Sequence, residues 1–227
     1  ANEDIQLKGE VLGAPASIST LSGKENKLFV QYALEHPKRE QALSAWVYLQ
    51  KIYQEDPFFA QHENPRQAII TEMQRVKKED KDFLKNLDPN SYVHWYLPTR
   101  KLVSSVSTVA QYRTEEIPAT LSAFRNLDYT DTRLYKSGLL KDVIESHFWL
   151  LENMGQPLDT VYKEMNTSID YMLDKLSKDE AKFNEITNYL VDLLERQSLL
   201  QASEYLAIKV LTQNTCTVND DFANQLE

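Results

Sequence analysis

From residue 22 onward, the hydrophobic and polar positions of the chain follow a helical period. Apolar residues recur every three or four positions, and turn signals containing Gly, Pro, Asn or Asp separate one such segment from the next. One of these apolar sets is Ala42, Ala45, Trp46, Leu49, Ile52 and Tyr53. The pattern predicts an all-α fold, a multi-helical array or bundle of about eight to ten helices.

The first 21 residues follow a different pattern. Ile5 to Lys8 alternate apolar and polar side chains, and Ser17 to Leu21 are rich in residue types that favour strands. We therefore expect residues 1–21 to form a short extended, β-like segment, the remnant of a preceding β domain. Residues 22–227 are then a helical domain.

Cap and proline signals predict where helices begin. Ser22 with Glu25, and Ser177 with Glu180, have the spacing of capping boxes. Pro37 fits the first turn of a new helix, where its missing N–H costs nothing. Each of these signals predicts a helix boundary.

The segment 113–136 is the least regular part of the helical region. Pro118, Asp128 and Asp131 predict short turns and broken helix there, and Pro98 interrupts the preceding apolar pattern. The sequence leaves open a subdivision of the domain near 113–136.

Composition excludes several classes of protein. The net charge is -9, and the longest basic cluster, residues 75–78, is followed directly by Glu79 and Asp80. A nucleic-acid binder needs clustered cations, so this cluster is better interpreted as a solvated helix face. No stretch approaches the ~20 apolar residues of a membrane span.

The four histidines do not predict a metal site. They are His36, His62, His94 and His147, and no two lie within one helical turn. We expect each on the surface or in ordinary packing, with His147 a satisfied core histidine beside Phe148. Glu145 and His147 lack the Glu-x-x-His spacing of di-iron bundles.

A single cysteine, Cys216, excludes an internal disulfide and a C-x-x-C redox pair. The nearest basic residue upstream is Lys209, so we interpret Cys216 as a buried or incidental thiol. No glycine-rich phosphate loop or G-x-S-x-G motif is present. The sequence thus predicts no catalytic, cofactor-binding or metal-binding residue and no cofactor, and we expect no enzymatic activity from this chain.

Three stretches carry a resemblance to a known family. They are residues 25–29 with Tyr32, residues 127–134 leading into a long helix, and residues 183–194 with Ala202, Tyr205 and Leu206. Over about residues 22–227 the chain resembles the helical region of TlpA-like thioredoxin-domain proteins of Bacteroidetes envelopes. In that family a β-rich domain precedes the helices and a thioredoxin-like domain with a C-x-x-C follows.

The resemblance implies a non-catalytic helical domain of an envelope thiol–disulfide oxidoreductase. Its helices would act as spacer, substrate platform or interaction surface, with a covalently linked thioredoxin-like domain as partner. It further implies a periplasmic or cell-envelope location, with a lipid anchor outside this chain. Two alternatives remain: an independent helical-repeat-like adaptor that binds a protein segment in a groove, and an unrecognised helical enzyme with a deep polar pocket.

Overall fold

The structure is a computed structural model that describes residues 3–9 and 19–212, and it is almost entirely helical in that part of the chain. Ten α-helices are present there: α1 (Lys24–Glu55), α2 (Pro57–Ala60), α3 (Glu63–Lys85), α4 (Tyr92–Tyr112), α5 (Ile117–Arg125), α6 (Thr132–Lys136), α7 (Leu139–Glu152), α8 (Leu158–Leu176), α9 (Glu180–Arg196) and α10 (Leu200–Thr212). Two short strands, β1 (Leu7–Lys8) and β2 (Ser19–Thr20), pair antiparallel before them. The predicted all-α class with a short β-like N-terminal segment is confirmed.

The chain divides into two compact units, with the boundary after Arg113. Unit 1 contains β1, β2 and α1 to α4. Unit 2 contains a 3-10 turn (Thr114–Glu116) and α5 to α10.

Unit 1 is organised around α1, a helix of 32 residues that packs against both α3 and α4. Its core includes Tyr32, Leu87, Val93 and Leu97, all nearly inaccessible to solvent. Tyr96 of α4 lies against Phe29 of α1, with ring centroids 5.7 Å apart. Aromatic side chains therefore help to hold α4 on α1 by ordinary packing.

Two prolines lie inside helices, contrary to the sequence-based expectation for both. Pro37 does not begin a helix, because α1 continues through it, and α4 likewise continues through Pro98. An internal proline removes one backbone hydrogen bond. In α1 this loss is tolerated because Tyr32 and Leu43, on either side of Pro37, are both buried.

The predicted capping box at the start of α1 is also wrong. The N-cap is Gly23, with φ 98, and it makes no side-chain cap bond. Ser22 instead accepts a hydrogen bond from the backbone N–H of Gln6 at 3.0 Å. The backbone N–H of Asn26 donates to Glu3 Oε1 at 2.9 Å, so a residue 23 positions upstream satisfies this end of the helix.

The second predicted capping box is shifted by two residues. Ser177 is the C-cap of α8, and α9 begins at Glu180. The N-cap is Asp179, which accepts a hydrogen bond from the backbone N–H of Lys182 at 3.2 Å. Asp179 competes well for this position because aspartate is among the preferred N-cap residues.

The helices of unit 2 pack around an apolar core. Its α7 packs against α5, α6 and α8, while α8 also contacts α9 and α10. Both α8 and α9 bury one apolar face, as their period of three to four residues predicts. Its fully buried side chains include Phe124, Ile144, Phe148, Leu151, Met165, Ile169, Met172 and Phe183.

Among the described residues, none of the helices combines the length and the apolar character that crossing a bilayer requires.

Candidate functional site

A cluster of interacting charged and polar groups in unit 1 surrounds the buried Asp80 on α3. His36 Nδ1 lies 2.9 Å from Asp80 Oδ1, and Lys101 Nζ of α4 lies 2.5 Å from Oδ2. The Tyr32 hydroxyl donates to Oδ2 at 3.3 Å, and Arg39 Nη1 lies at ion-pair distance, 3.6 Å from Oδ1. We call Tyr32, His36, Arg39, Asp80 and Lys101 the Asp80 cluster. Its members come from three helices, so the cluster joins α1, α3 and α4.

Helical spacing explains how α1 supplies three of these groups. Tyr32, His36 and Arg39 occupy positions i, i+4 and i+7, which lie on one face of a helix. The rings of Tyr32 and His36 stack with centroids 4.8 Å apart. The part of α1 that faces Asp80 therefore carries three polar side chains.

The hydrogen bonds indicate that one particular ring nitrogen of His36 carries a proton. An ionised carboxylate only accepts hydrogen bonds, so His36 Nδ1 carries a proton and donates it to Asp80. The Tyr32 oxygen also lies 3.2 Å from Nδ1, but its proton is directed to the carboxylate instead. The geometry thus places a proton on Nδ1 of His36.

The surrounding donors keep Asp80 charged although it is only 3% exposed. Burial alone raises the pKa of this carboxyl group, but hydrogen bonds from His36 and Lys101 outweigh it and hold the pKa well below its usual range. For Tyr32, burial and the nearby Asp80 charge raise the pKa of the phenol far above normal. At neutral pH the cluster contains a carboxylate, a neutral phenol and at least two cations.

A carboxylate on one nitrogen of a histidine is also how general bases are oriented in hydrolases. Here the carboxylate is itself occupied by Lys101, and the imidazole is almost fully covered. These contacts fit a role in fixing the register of three helices better than a role in proton transfer.

Unit 2 has a second buried polar chain, centred on Ser168 of α8. Arg125 Nε donates to Ser168 Oγ at 3.0 Å, and Ser168 Oγ lies 3.0 Å from His147 Nε2. Arg125 Nη2 also donates to the Glu164 carbonyl at 3.0 Å and to its carboxylate at 2.6 Å. This chain connects α5, α7 and α8.

His147 is buried, as the sequence indicates, but only one of its ring nitrogens is hydrogen-bonded. The ring is 0% exposed and stacks on Phe124 at 4.9 Å. Its Nδ1 is a buried atom without a hydrogen-bond partner among the described residues. Burial and the Arg125 charge lower the pKa of His147 to about 3, so the ring is neutral at physiological pH.

The other residues considered in the sequence are not brought together into a site. His62 is the N-cap of α3, and His94 lies in the first turn of α4. Glu145 accepts a hydrogen bond from the Tyr189 hydroxyl at 2.5 Å. Cys216 lies outside the described residues, and within the described ranges no group of three potential metal ligands is present.

The sequence placed His36 on the surface or in ordinary packing, and the structure buries it among the polar contacts of the Asp80 cluster, which the sequence analysis does not predict. Its partner Asp80 is 44 positions away in sequence, and Lys101, which also binds Asp80, is 65 positions away from His36. The i, i+4, i+7 spacing of Tyr32, His36 and Arg39 was the only signal that could have indicated a shared polar face.

The stretch 127–134, on which the family resemblance partly depends, forms most of the connection between α5 and α6 and the start of α6. Tyr129 in it is 0% exposed, and its carbonyl accepts from the Tyr135 hydroxyl at 2.9 Å. Lys175 Nζ donates to the carbonyls of Arg125 and Leu127 at 2.5 and 2.8 Å. These contacts satisfy the carbonyls at the end of α5 and hold the connection against α8.

Each unit also has a concave surface. In unit 1 a shallow groove of about 480 Å³ lies between α1 and α3, and Trp46, Leu49, Tyr53 and Ile69 line it. In unit 2 a cleft of about 670 Å³ lies between the start of α5 and the start of α8. Both volumes fall in the range of ligand-binding pockets.

Comparisons of the chain with protein-family models, with curated proteins and with solved structures found no match.

Proposed function

We propose that this chain is a non-catalytic helical module of an envelope thioredoxin-like thiol–disulfide oxidoreductase. In this proposal its helices act as spacer, substrate platform or interaction surface. The redox chemistry belongs to a covalently linked thioredoxin-like domain outside these residues, and a lipid anchor, also outside them, holds the parent protein at the membrane.

The observation that carries the proposal is that the buried polar groups bond to side chains of neighbouring helices. Asp80 bonds to side chains of α1 and α4, and Ser168 bonds to side chains of α5 and α7. Buried polar groups that bond across helices can restrict the packing to one register. A spacer or platform needs this kind of fixed helix register.

The stretches that resemble the TlpA-like family support the same reading. Glu25 accepts a hydrogen bond from the backbone N–H of Val93 at 3.3 Å and so ties α1 to the start of α4. Tyr129 and Asp131 hold the connection into α6, where Asp131 accepts from the backbone N–H of Arg133 at 2.8 Å. The residues shared with the family pattern are packing and capping residues, as a scaffold requires.

A dithiol-dependent insulin reduction assay tests the proposal. The chain alone should reduce insulin no faster than the dithiol blank, and a Cys216→Ser variant should behave identically. Turnover by the chain that disappears in Cys216→Ser would overturn the proposal, because the chemistry would then belong to this chain.

A second candidate function is an independent adaptor that binds a protein segment. The groove of unit 1 favours it, because Trp46 and Tyr53 lie only partly covered along it beside Pro65 and Ala68. Aromatic side chains in a groove between two helices suit an apolar helical segment of another protein.

Amide hydrogen exchange distinguishes the two functions. If the groove is covered within the parent protein, residues 42–53 and 65–72 should exchange more slowly in the native full-length protein than in this chain, with α9 as internal reference. If the adaptor function is correct, the two samples should exchange alike, and only an added segment from a separate protein should protect the groove.

A further inference from the structure

The cleft of unit 2 has one apolar wall. Ile117, Pro118 and Leu121 of α5 supply it, together with Met154 from the connection between α7 and α8. Ile117 and Leu121 are also core residues, so this wall is a fixed part of the fold. A short hydrocarbon chain that lies against this wall would bury apolar surface and be stabilised by the hydrophobic effect.

The remainder of the cleft lining is polar and carries a net negative charge. Glu115 stands at one side on the 3-10 turn, and Glu164 stands on α8. The one cation in the lining is Arg125. With two carboxylates and one guanidinium, the lining sums to a charge of -1.

Arg125 is already engaged and contributes little attraction for an anion. Its Nη2 lies 2.6 Å from the Glu164 carboxylate, and its Nε bonds to Ser168. Glu164 and Arg125 largely offset each other, which leaves Glu115 as the uncompensated charge. Glu115 is exposed and forms no ion pair within the described part of the chain.

We propose that this cleft binds an aliphatic cation, a chain of about four to six carbons that ends in an ammonium group, as in a lysine side chain. The hydrocarbon lies along the wall formed by Leu121 and Met154, and the ammonium group lies at the Glu115 carboxylate. Long cationic side chains bind in this manner, with the stem on apolar surface and the charged end at the polar rim. The volume of about 670 Å³ accommodates such a ligand.

The lysine side chain of a peptide and a free alkyl diamine share this chemistry, and the test separates them. Protein with ¹³C-labelled methionine methyl groups is titrated with a blocked lysine tripeptide and, separately, with 1,5-diaminopentane. The chain has four methionines. Met154 lines the cleft, whereas Met165 and Met172 are buried in the core of unit 2 and Met73 lies in unit 1.

The Met154 methyl signal should shift in a saturable manner while the Met73 signal does not. A shift with the tripeptide alone assigns the site to a protein ligand, and a shift with the diamine as well assigns it to small aliphatic amines. Absence of a shift with both probes would overturn the proposal. So would equal binding of hexanoate or of 1,5-pentanediol, because the charge preference would then be absent.

A charge reversal provides the matched control. Glu115→Lys should weaken binding by at least about fivefold, since it replaces an attraction with a repulsion near the ammonium group. Glu204→Lys, an equivalent change at an exposed position of α10, should leave binding unchanged. Equal affinity in the wild type and Glu115→Lys would contradict the proposed position of the cation. This inference does not depend on the proposed link to a thioredoxin-like domain, and its test has the same meaning whether or not that link exists.

Discussion

His36 of α1 and Asp80 of α3 meet at 2.9 Å between Nδ1 and Oδ1, although 44 residues separate them in the chain. Lys101 of α4 completes the contact from the other side of the carboxylate. One buried charge thus fixes the relative positions of three helices. Removal of that charge should disturb unit 1 as a whole.

Asp80→Asn should destabilise unit 1 by about 2–4 kcal/mol. The change removes the charge that compensates Lys101 and Arg39, and breaking a buried ion pair is costly for the partner that remains. The value lies below the largest reported for buried pairs because the Lys101 side chain is 33% exposed. Amide exchange in α1, α3 and α4 measures the loss directly.

Asp82→Asn is the control for this prediction. Asp82 lies on the same helix and pairs with Lys78, but both side chains are largely exposed. Surface pairs of this kind contribute about 0–1 kcal/mol. If Asp80→Asn and Asp82→Asn had equally small effects, the Asp80 cluster would not be holding the helices in register.

Unit 2 should lose stability as the pH falls below about 6.5. The pKa of His147 is lowered to about 3 in the folded protein, whereas an unfolded histidine titrates near 6.5. Between these values the unfolded chain binds the extra proton, so the free energy of unfolding falls by about 1.4 kcal/mol per pH unit. Urea unfolding at pH 7, 6 and 5, with exchange in α7 and α8 as the readout, measures this slope.

His147→Gln removes the titrating group and should flatten that slope. The amide can still bond to Ser168, so the comparison rests on the pH dependence and not on the absolute stability. An unchanged slope in His147→Gln would assign the acid sensitivity of unit 2 to other groups and contradict the buried neutral state of His147.

The ring of Tyr129 should contribute far more to the stability of unit 2 than its hydroxyl group does. It is fully buried, and its hydroxyl donates to the Phe124 carbonyl over a long 3.3 Å. Tyr129→Phe should cost about 1 kcal/mol and Tyr129→Ala about 3–5 kcal/mol by thermal unfolding. Tyr171→Ala, at an exposed position of α8, should change stability by less than about 0.5 kcal/mol. A Tyr129→Ala variant as stable as wild type would remove the structural explanation for the stretch 127–134.

The helices were predictable because their apolar faces repeat locally. Asp131 illustrates a local signal that succeeds: the sequence predicts a turn there, and Asp131 is the N-cap of α6, accepting a hydrogen bond from the backbone N–H of Arg133 at 2.8 Å. Pro37 shows where local reasoning fails. Packing on both sides of it keeps α1 continuous, and that packing is a tertiary property which the local pattern does not contain.

The candidate sites were less predictable than the helices. Burial of His147 was predictable from its apolar neighbours. Its hydrogen bond to Ser168 joins residues 21 positions apart, and no local sequence pattern indicates it. The Asp80 cluster was missed for the same reason. The basic cluster at residues 75–78 was interpreted as a solvated face, and Arg75 is indeed exposed, yet Asp80, two positions beyond the cluster, is buried. Neighbouring residues on a helix point in different directions, so a run of charged residues does not show which of them is buried and which is exposed.

The measurement that tests the central claim most directly is the intact mass and terminal sequence of the native protein from its own source. The proposal predicts a mass well above the 26.3 kDa of this chain and a C-x-x-C motif beyond Glu227. A native polypeptide that ends at Glu227 would contradict the proposal and make the protein-binding adaptor the leading function.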